Sequence, residues 1–155
     1  MRVEWDSRGR ERTNFVKMLH FLNEVTLQHK SDVRGDIGIF EILDNIPFQV
    51  KRFYYIAKVP KNAVRGAHAH KSLEQIFFSL NGSFKLQVTD GILKDKVELS
   101  EFGPGYHLSS GYWRELSDFT EGAVCLVLAS DHYKPHDYIY DLEEFKVWRA
   151  NLAKH

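Results

Sequence analysis

The run Arg65-Gly66-Ala67-His68-Ala69-His70-Lys71 carries two imidazoles with one residue between them. On an extended strand, side chains at i and i+2 face the same way. His68 and His70 therefore project together, and Ala67 and Ala69 face the other side. Two imidazoles aimed into one interior suit metal ligation or proton transfer near neutral pH. The plain alternative is two structural histidines, each bonded to backbone. The single cysteine, Cys125, can form neither an internal disulfide nor a Cys-based zinc cluster, and it fits a reducing compartment.

Strands are needed to hold such a pair. Arg52 to Val59 is rich in aromatic and branched residues and is ended by Pro60. Gln75 to Leu80 reads as a strand closed by Asn81-Gly82, a hairpin signal. Phe84, Leu86 and Val88 alternate with polar neighbours, which predicts a half-buried strand. Asp90-Gly91 is a second hairpin signal, and Lys94 to Leu99 alternates charge with Val97 and Leu99. Ala123 to Ala129 is apolar without alternation, so it should be buried on both faces. Upstream, Gly35 to Ile42 has strand-like period. Only the end is helical: Asp141 can cap it, Glu144 follows three residues later, and Leu142, Phe145, Trp148 and Leu152 share a face. Many short strands and one terminal helix predict an all-β fold, a small antiparallel barrel or jelly roll with ligand in its mouth. Residues 1–22 differ. They are charged, then helix-like around Phe15, Met18, Leu19 and Leu22, and read as an N-terminal arm or linker remnant ahead of a domain over 23–155.

The chain has 155 residues, enough for one domain with a sizeable core. Lys plus Arg is 21 and Asp plus Glu is 21, so the net charge of zero offers no bulk attraction to nucleic acid or to anionic membrane. No apolar run approaches the ~18 residues of a membrane span, and the first residues are too polar for a signal peptide. These features predict a cytoplasmic protein without nucleic-acid or membrane partners.

Metal-binding cupin barrels show His-x-His, a Glu four or five residues on, and later Pro-x-Gly-x-x-His. Here His68 and His70 match the first part, but Gln75 stands at the longer spacing and Glu74 at the shorter. Ser109-Ser110-Gly111-Tyr112-Trp113-Arg114 resembles the second part, with Arg114 in place of the last ligand. Arginine has no lone pair to give a metal. His107 could replace one ligand; the expectation is an enzyme with no metal and no cofactor.

A more specific resemblance lies in Arg52-Phe53-Tyr54-Tyr55-Ile56, then Arg65-Gly66-Ala67-His68-Ala69-His70-Lys71 with Gln75. Trp113-Arg114-Glu115, Cys125 to Ser130, and Tyr133 with Asp137-Tyr138-Ile139 support it. Over about residues 30–146 the chain resembles the cupin-type sugar-nucleotide 3,4-ketoisomerases, which act on dTDP-4-keto-6-deoxyglucose in deoxysugar biosynthesis. The resemblance implies that His68 and His70 shuttle protons through an enediol, and that the protein is a homodimer. It offers Arg52, Tyr54, Tyr55, Arg65, Lys71, Gln75, Trp113 and Arg114 as substrate-binding residues. Arg52 and Lys71 could equally be surface charges, a surface salt bridge is the lesser alternative for Arg65, and Trp113 could be plain core. Tyr133, Asp137 and Tyr138 are read as locking the last strand and helix. Two other functions compete: a 3,5-epimerase of the same substrate class, and a sugar-nucleotide binding module without catalysis.

Overall fold

The computed structural model describes residues 19–152 and, before them, only the backbone of two short paired strands, β1 (Glu4–Trp5) and β2 (Glu11–Arg12). Then come β3 (Leu22–Val25), β4 (Gln28–Asp32), β5 (Gly35–Ile39), β6 (Arg52–Ala57), β7 (Arg65–His70), β8 (Gln75–Asn81), β9 (Ser83–Thr89) and β10 (Lys94–Ser100). The chain ends with β11 (Gly105–Leu108), β12 (Trp113–Ser117), β13 (Val124–Ala129), β14 (Tyr138–Ile139) and α1 (Leu142–Leu152). Two five-stranded antiparallel sheets, ordered β10-β9-β12-β7-β14 and β3-β11-β8-β13-β6, form the jelly roll. A separate hairpin joins β4 to β5. Among the described residues no helix is long and apolar enough to cross a membrane.

Period two places the core. Leu86 and Val88 of β9, Phe77 of β8, Leu108 of β11, Leu116 of β12 and Val127 of β13 meet between the sheets. β8 and β13 also bury their outer faces, as unbroken apolar runs require. Ile76, Phe78 and Leu128 pack there beneath Ile46 and Phe48 of the segment before β6. On the outer side of the other sheet, Ala69 and Trp113 receive Phe145 of α1. The amide of Glu144 donates to Asp141 Oδ1 at 2.8 Å, so the capping residue is the one the sequence indicates. Leu142 and Trp148 join Phe145 on the packed face, whereas Leu152 is exposed.

Three sequence expectations need correction. Asn81-Gly82 does not make a hairpin: β8 pairs with β11 and β13, while β9 pairs with β10 and β12. The turn is a corner that carries the chain from one sheet to the other. Gly82 takes φ +64°, and the Ser79 hydroxyl donates to the carbonyls of Asn81 and Gly82. Asp90-Gly91 does link paired strands. Leu22, read as part of a helix-like patch, opens a strand and is buried in the core; Phe15 and Met18 lie outside the described residues. Its segment is held by Asp95, a fully buried carboxylate that accepts the backbone N–H groups of His20, Phe21 and Leu22. The expected strand over Gly35–Ile42 stops at Ile39 and pairs with β4, a strand whose polar sequence hides it.

Candidate active site

β7 and β12 lie side by side with His68 opposite Arg114 and Ala69 opposite Trp113. Alternation then sorts the residues. His68, His70 and Arg114 share the inner face. Ala69 and Trp113 face out toward α1, so Trp113 packs under the helix, with its Nε1 donating to Glu115, and does not line the site.

The two Nε2 atoms of His68 and His70 lie 3.2 Å apart, with the rings edge to face. Nδ1 of His70 lies 3.0 Å from Oδ2 of Asp137, and both residues are buried. Oδ1 of the same carboxylate accepts the amide and hydroxyl of Ser72 at 2.8 and 2.6 Å. Pairing of β14 with β7 fixes this, setting Tyr138 opposite His70. The Tyr138 ring stands 4.3 Å from the His70 ring and 4.9 Å from that of His68. Asp137 and Tyr138 thus belong to the site as well as to the end of the fold. No local spacing announces Asp137; it arrives from 67 residues away through strand pairing.

Arg114 is 2 % exposed. Its Nε donates to Gln75 Oε1 at 2.7 Å and its Nη1 to the Gly66 carbonyl at 2.6 Å. Gln75 in turn donates from Nε2 to the Tyr54 hydroxyl at 2.8 Å. Gly66 has φ +73°, and a Cβ there would come within 2.5 Å of Arg114 Nη1. The glycine of the motif is therefore what admits the guanidinium behind the histidines. Arg52 shares the inner face of β6 with Tyr54, lies over the rings of Tyr54 and Tyr133, and has a buried Nε without a partner.

Burial, the charge on Arg114 and the neighbouring His70 push His68 down to about 2. Burial and Arg114 lower His70 to about 4, although Asp137 pulls the other way. Both imidazoles are therefore neutral at physiological pH. Burial opposes ionisation of Asp137, yet the bonds from Ser72 and His70 hold its carboxyl below the ordinary range.

The remaining candidates separate. Tyr55 points to the outer face of β6 and is 70 % exposed, because it alternates with Tyr54. Arg65 is exposed; an irregularity in the pairing of β7 with β12 sets it opposite the buried Leu116 rather than on the parity of Ala67 and Ala69, and it lines a cleft along the end of β6. Lys71 is exposed and ties the site only through its amide, which donates to the Asp137 carbonyl. His107 lies between Tyr106 and Leu108, both packed in the core, so it faces the outer side, where it pairs with Glu74 at 2.8 Å. Glu74 and His107 thus do not join the His68–His70 pair as ligands. Among the described residues no three His, Cys, Asp or Glu groups are gathered in a way that could hold a metal ion.

Comparison with known proteins identifies the family. Residues 18–150 match the family model described as FdtA: WxcM-like, C-terminal. The chain is 39 % identical over 121 residues to a TDP-4-oxo-6-deoxy-alpha-D-glucose-3,4-oxoisomerase of Aneurinibacillus thermoaerophilus, covering 78 % of this chain and 87 % of that protein. A variant of the 3,4-ketoisomerase QdtA of Thermoanaerobacterium thermosaccharolyticum, solved with TDP-4-keto-6-deoxyglucose, is 36 % identical and superposes with a TM-score of 0.82 over 86 % of this chain and 97 % of that one. A 3,4-ketoisomerase of Helicobacter canadensis is 37 % identical, with a TM-score of 0.81 over 84 % and 99 % of the two chains. With its paired histidines on one face of β7, its buried guanidinium and its jelly roll, the chain belongs to the FdtA-like family of cupin-type sugar-nucleotide 3,4-ketoisomerases.

Proposed function

We propose that this protein converts TDP-4-keto-6-deoxyglucose, or a close nucleoside diphosphate 4-keto-6-deoxyhexose, into its 3-keto isomer. The carrying observation is the pair of Nε2 atoms 3.2 Å apart on the inner face of β7. A 3,4-keto shift moves one proton between neighbouring carbons and another between their oxygens. Two adjacent acid–base groups serve both transfers, and neutral imidazoles can accept at once. Arg114 supports the reading, since a cation in a dry site favours the negative charge of an enediolate. Arg52, with its free Nε, and Tyr54 are placed to meet ligand oxygens. Arg65 and Lys71 stand further out, where they can meet the charged end of a long ligand. The substrate named for these relatives supports the same class.

We further propose that no metal takes part and that two copies assemble. The hairpin β4–β5 is exposed at every residue but Ile39, and Val33 at its tip is fully exposed. Edge strand β6 shows Phe53 and Tyr55 to solvent, each 70 % exposed. The experiment is a product NMR spectrum after incubation with TDP-4-keto-6-deoxyglucose and a strong chelator. A 3-keto-6-deoxyhexose should accumulate. Inversion at carbon 5 alone would mean an epimerase, unchanged sugar a binding module, and activity restored only by a divalent ion a metal enzyme.

A further inference from the structure

Given the reaction proposed above, the bonds around Gln75 decide what the Tyr54 hydroxyl can do. A guanidinium has donors and no acceptor, so the Gln75 atom 2.7 Å from Arg114 Nε is the amide oxygen. Gln75 is buried and its oxygen is held there, so its NH2 group faces the Tyr54 hydroxyl, 2.8 Å away. An amide NH2 only donates. The Tyr54 oxygen therefore accepts, and a side-chain contact from Arg114 reaches the same hydroxyl, again as a donor. Neither neighbour can take the phenolic proton. Among the described residues no acceptor lies within hydrogen-bond distance of it, so it is left for a ligand. We infer that Gln75 is a positioning residue that turns the Tyr54 O–H toward the keto oxygen of the substrate. The hydrogen bonds run in one direction, from Arg114 through Gln75 to Tyr54 and on to the sugar.

Position favours the keto oxygen over the diphosphate. Two donors face the site from β6 without an acceptor, the Tyr54 hydroxyl and the buried Nε of Arg52. The Arg52 head lies over Tyr133, which is 56 % exposed, so it stands toward the rim and suits a ligand group nearer to water. Tyr54 instead reaches inward to Arg114, and Arg114 stands opposite His68 in the pairing of β12 with β7. The hydroxyl and the imidazole pair thus flank one guanidinium. A 3,4-keto shift puts negative charge on the keto oxygen as the C–H bond at carbon 3 breaks. A fixed O–H donor aimed at that oxygen bonds it more strongly as the charge grows, and needs no reorientation at that moment. Donors on the phenol oxygen draw electron density from its O–H, which strengthens the outgoing bond. Tyr54 keeps its proton throughout.

The test measures Tyr54→Phe in two backgrounds. In the parent it should lower kcat by at least ~10²-fold, with KM and the Kd for TDP near the parent values. Gln75→Glu keeps the shape but makes the group an acceptor toward both neighbours, so the Tyr54 proton turns to the carboxylate. In that background Tyr54→Phe should change kcat by no more than about twofold. A loss of ~10²-fold in both backgrounds overturns the inference, because Gln75 then does not direct the hydroxyl. So does a Tyr54→Phe protein with raised KM or TDP Kd and an unchanged kcat. A second readout needs no turnover. TDP-4-keto-6-deoxyglucose labelled with carbon-13 at carbon 4 is bound to the His68→Asn/His70→Asn double variant. Its carbonyl resonance should lie downfield of the free ketone and move back when Tyr54→Phe or Gln75→Glu is added. An unmoved resonance overturns the contact even in an active enzyme. Should Gln75→Glu fail to fold, the two Tyr54→Phe measurements still decide. A parent that leaves the sugar unchanged fails the reaction proposed above, and the resonance then decides the contact by itself.

Discussion

A guanidinium buried against neutral partners is costly, because burial disfavours charge that no opposite charge offsets. Arg114 is in that position: its donors meet an amide oxygen and a backbone carbonyl, and burial lowers its pKa. Its field reaches both histidines, lowering each. The parent's kcat/KM should therefore fall on the acid side near pH 4, not near the ~6.5 of a free imidazole. Arg114→Gln removes the positive charge, so the histidine pKa values rise and the acid limb should move up toward ~6.5. A pH profile of both proteins checks this; an unmoved limb would detach Arg114 from the histidines. Arg114 and the His pair were legible in the sequence because strand parity is local: i and i+2 share a face wherever the strand lies. Trp113 and Tyr55 fall on the opposite face for the same cause. Each stands one residue from an inward-facing residue, and one residue is the whole difference between faces. Asp137 was legible as a residue but not in its role, since nothing near it in sequence points to His70.

Strands with clean alternation were read almost to their ends, as β9 and β10 show, whereas β3, β4 and β11 are short or polar and carry little period. Sheet membership was not legible. Asn81-Gly82 has hairpin chemistry, yet the same left-handed glycine serves a corner between sheets. Asp95 shows a further limit: it sits on the buried parity of β10 beside Val97 and Leu99, where a carboxylate looks misplaced. Its partners are backbone groups of a distant segment, which no side-chain pattern reveals. Asp95→Ala leaves the three N–H groups of His20, Phe21 and Leu22 without that acceptor. Unfolding in urea should show a loss on the order of 3 kcal/mol, with turnover per folded molecule kept. A loss under ~0.5 kcal/mol would mean that water replaces the carboxylate readily. The same segment carries Leu22 into the core, so the fold depends on residues that the sequence set apart as an arm.

For the molecule as a whole, the buried histidine pair also sets a pH dependence of stability. His68 and His70 have folded pKa values of about 2 and about 4, both below the ~6.5 of an unfolded imidazole. Between ~6.5 and about 4 the unfolded chain binds more protons than the folded one. Stability should therefore fall as pH drops through that window. Urea midpoints at pH 7 and pH 5 check the sign, and a His68→Asn/His70→Asn double variant should flatten the difference. The last expectation concerns assembly. An isolated two-stranded hairpin is at best marginal in water, yet β4–β5 joins neither sheet. Ile37 and Val33 lie open on it, and Phe53 and Tyr55 lie open on the free edge of β6. Exposed apolar groups on unpaired edges mark places where another chain can add. A second copy offers the same pieces in a self-complementary arrangement, as two-fold symmetry requires. Light scattering at micromolar concentration should give twice the chain mass of 18.1 kDa. Val33→Lys with Ile37→Lys should drive the protein toward single chains without disturbing the His68–His70 pair. A parent that scatters as a monomer would end the dimer proposal and leave the hairpin without a stabilising neighbour.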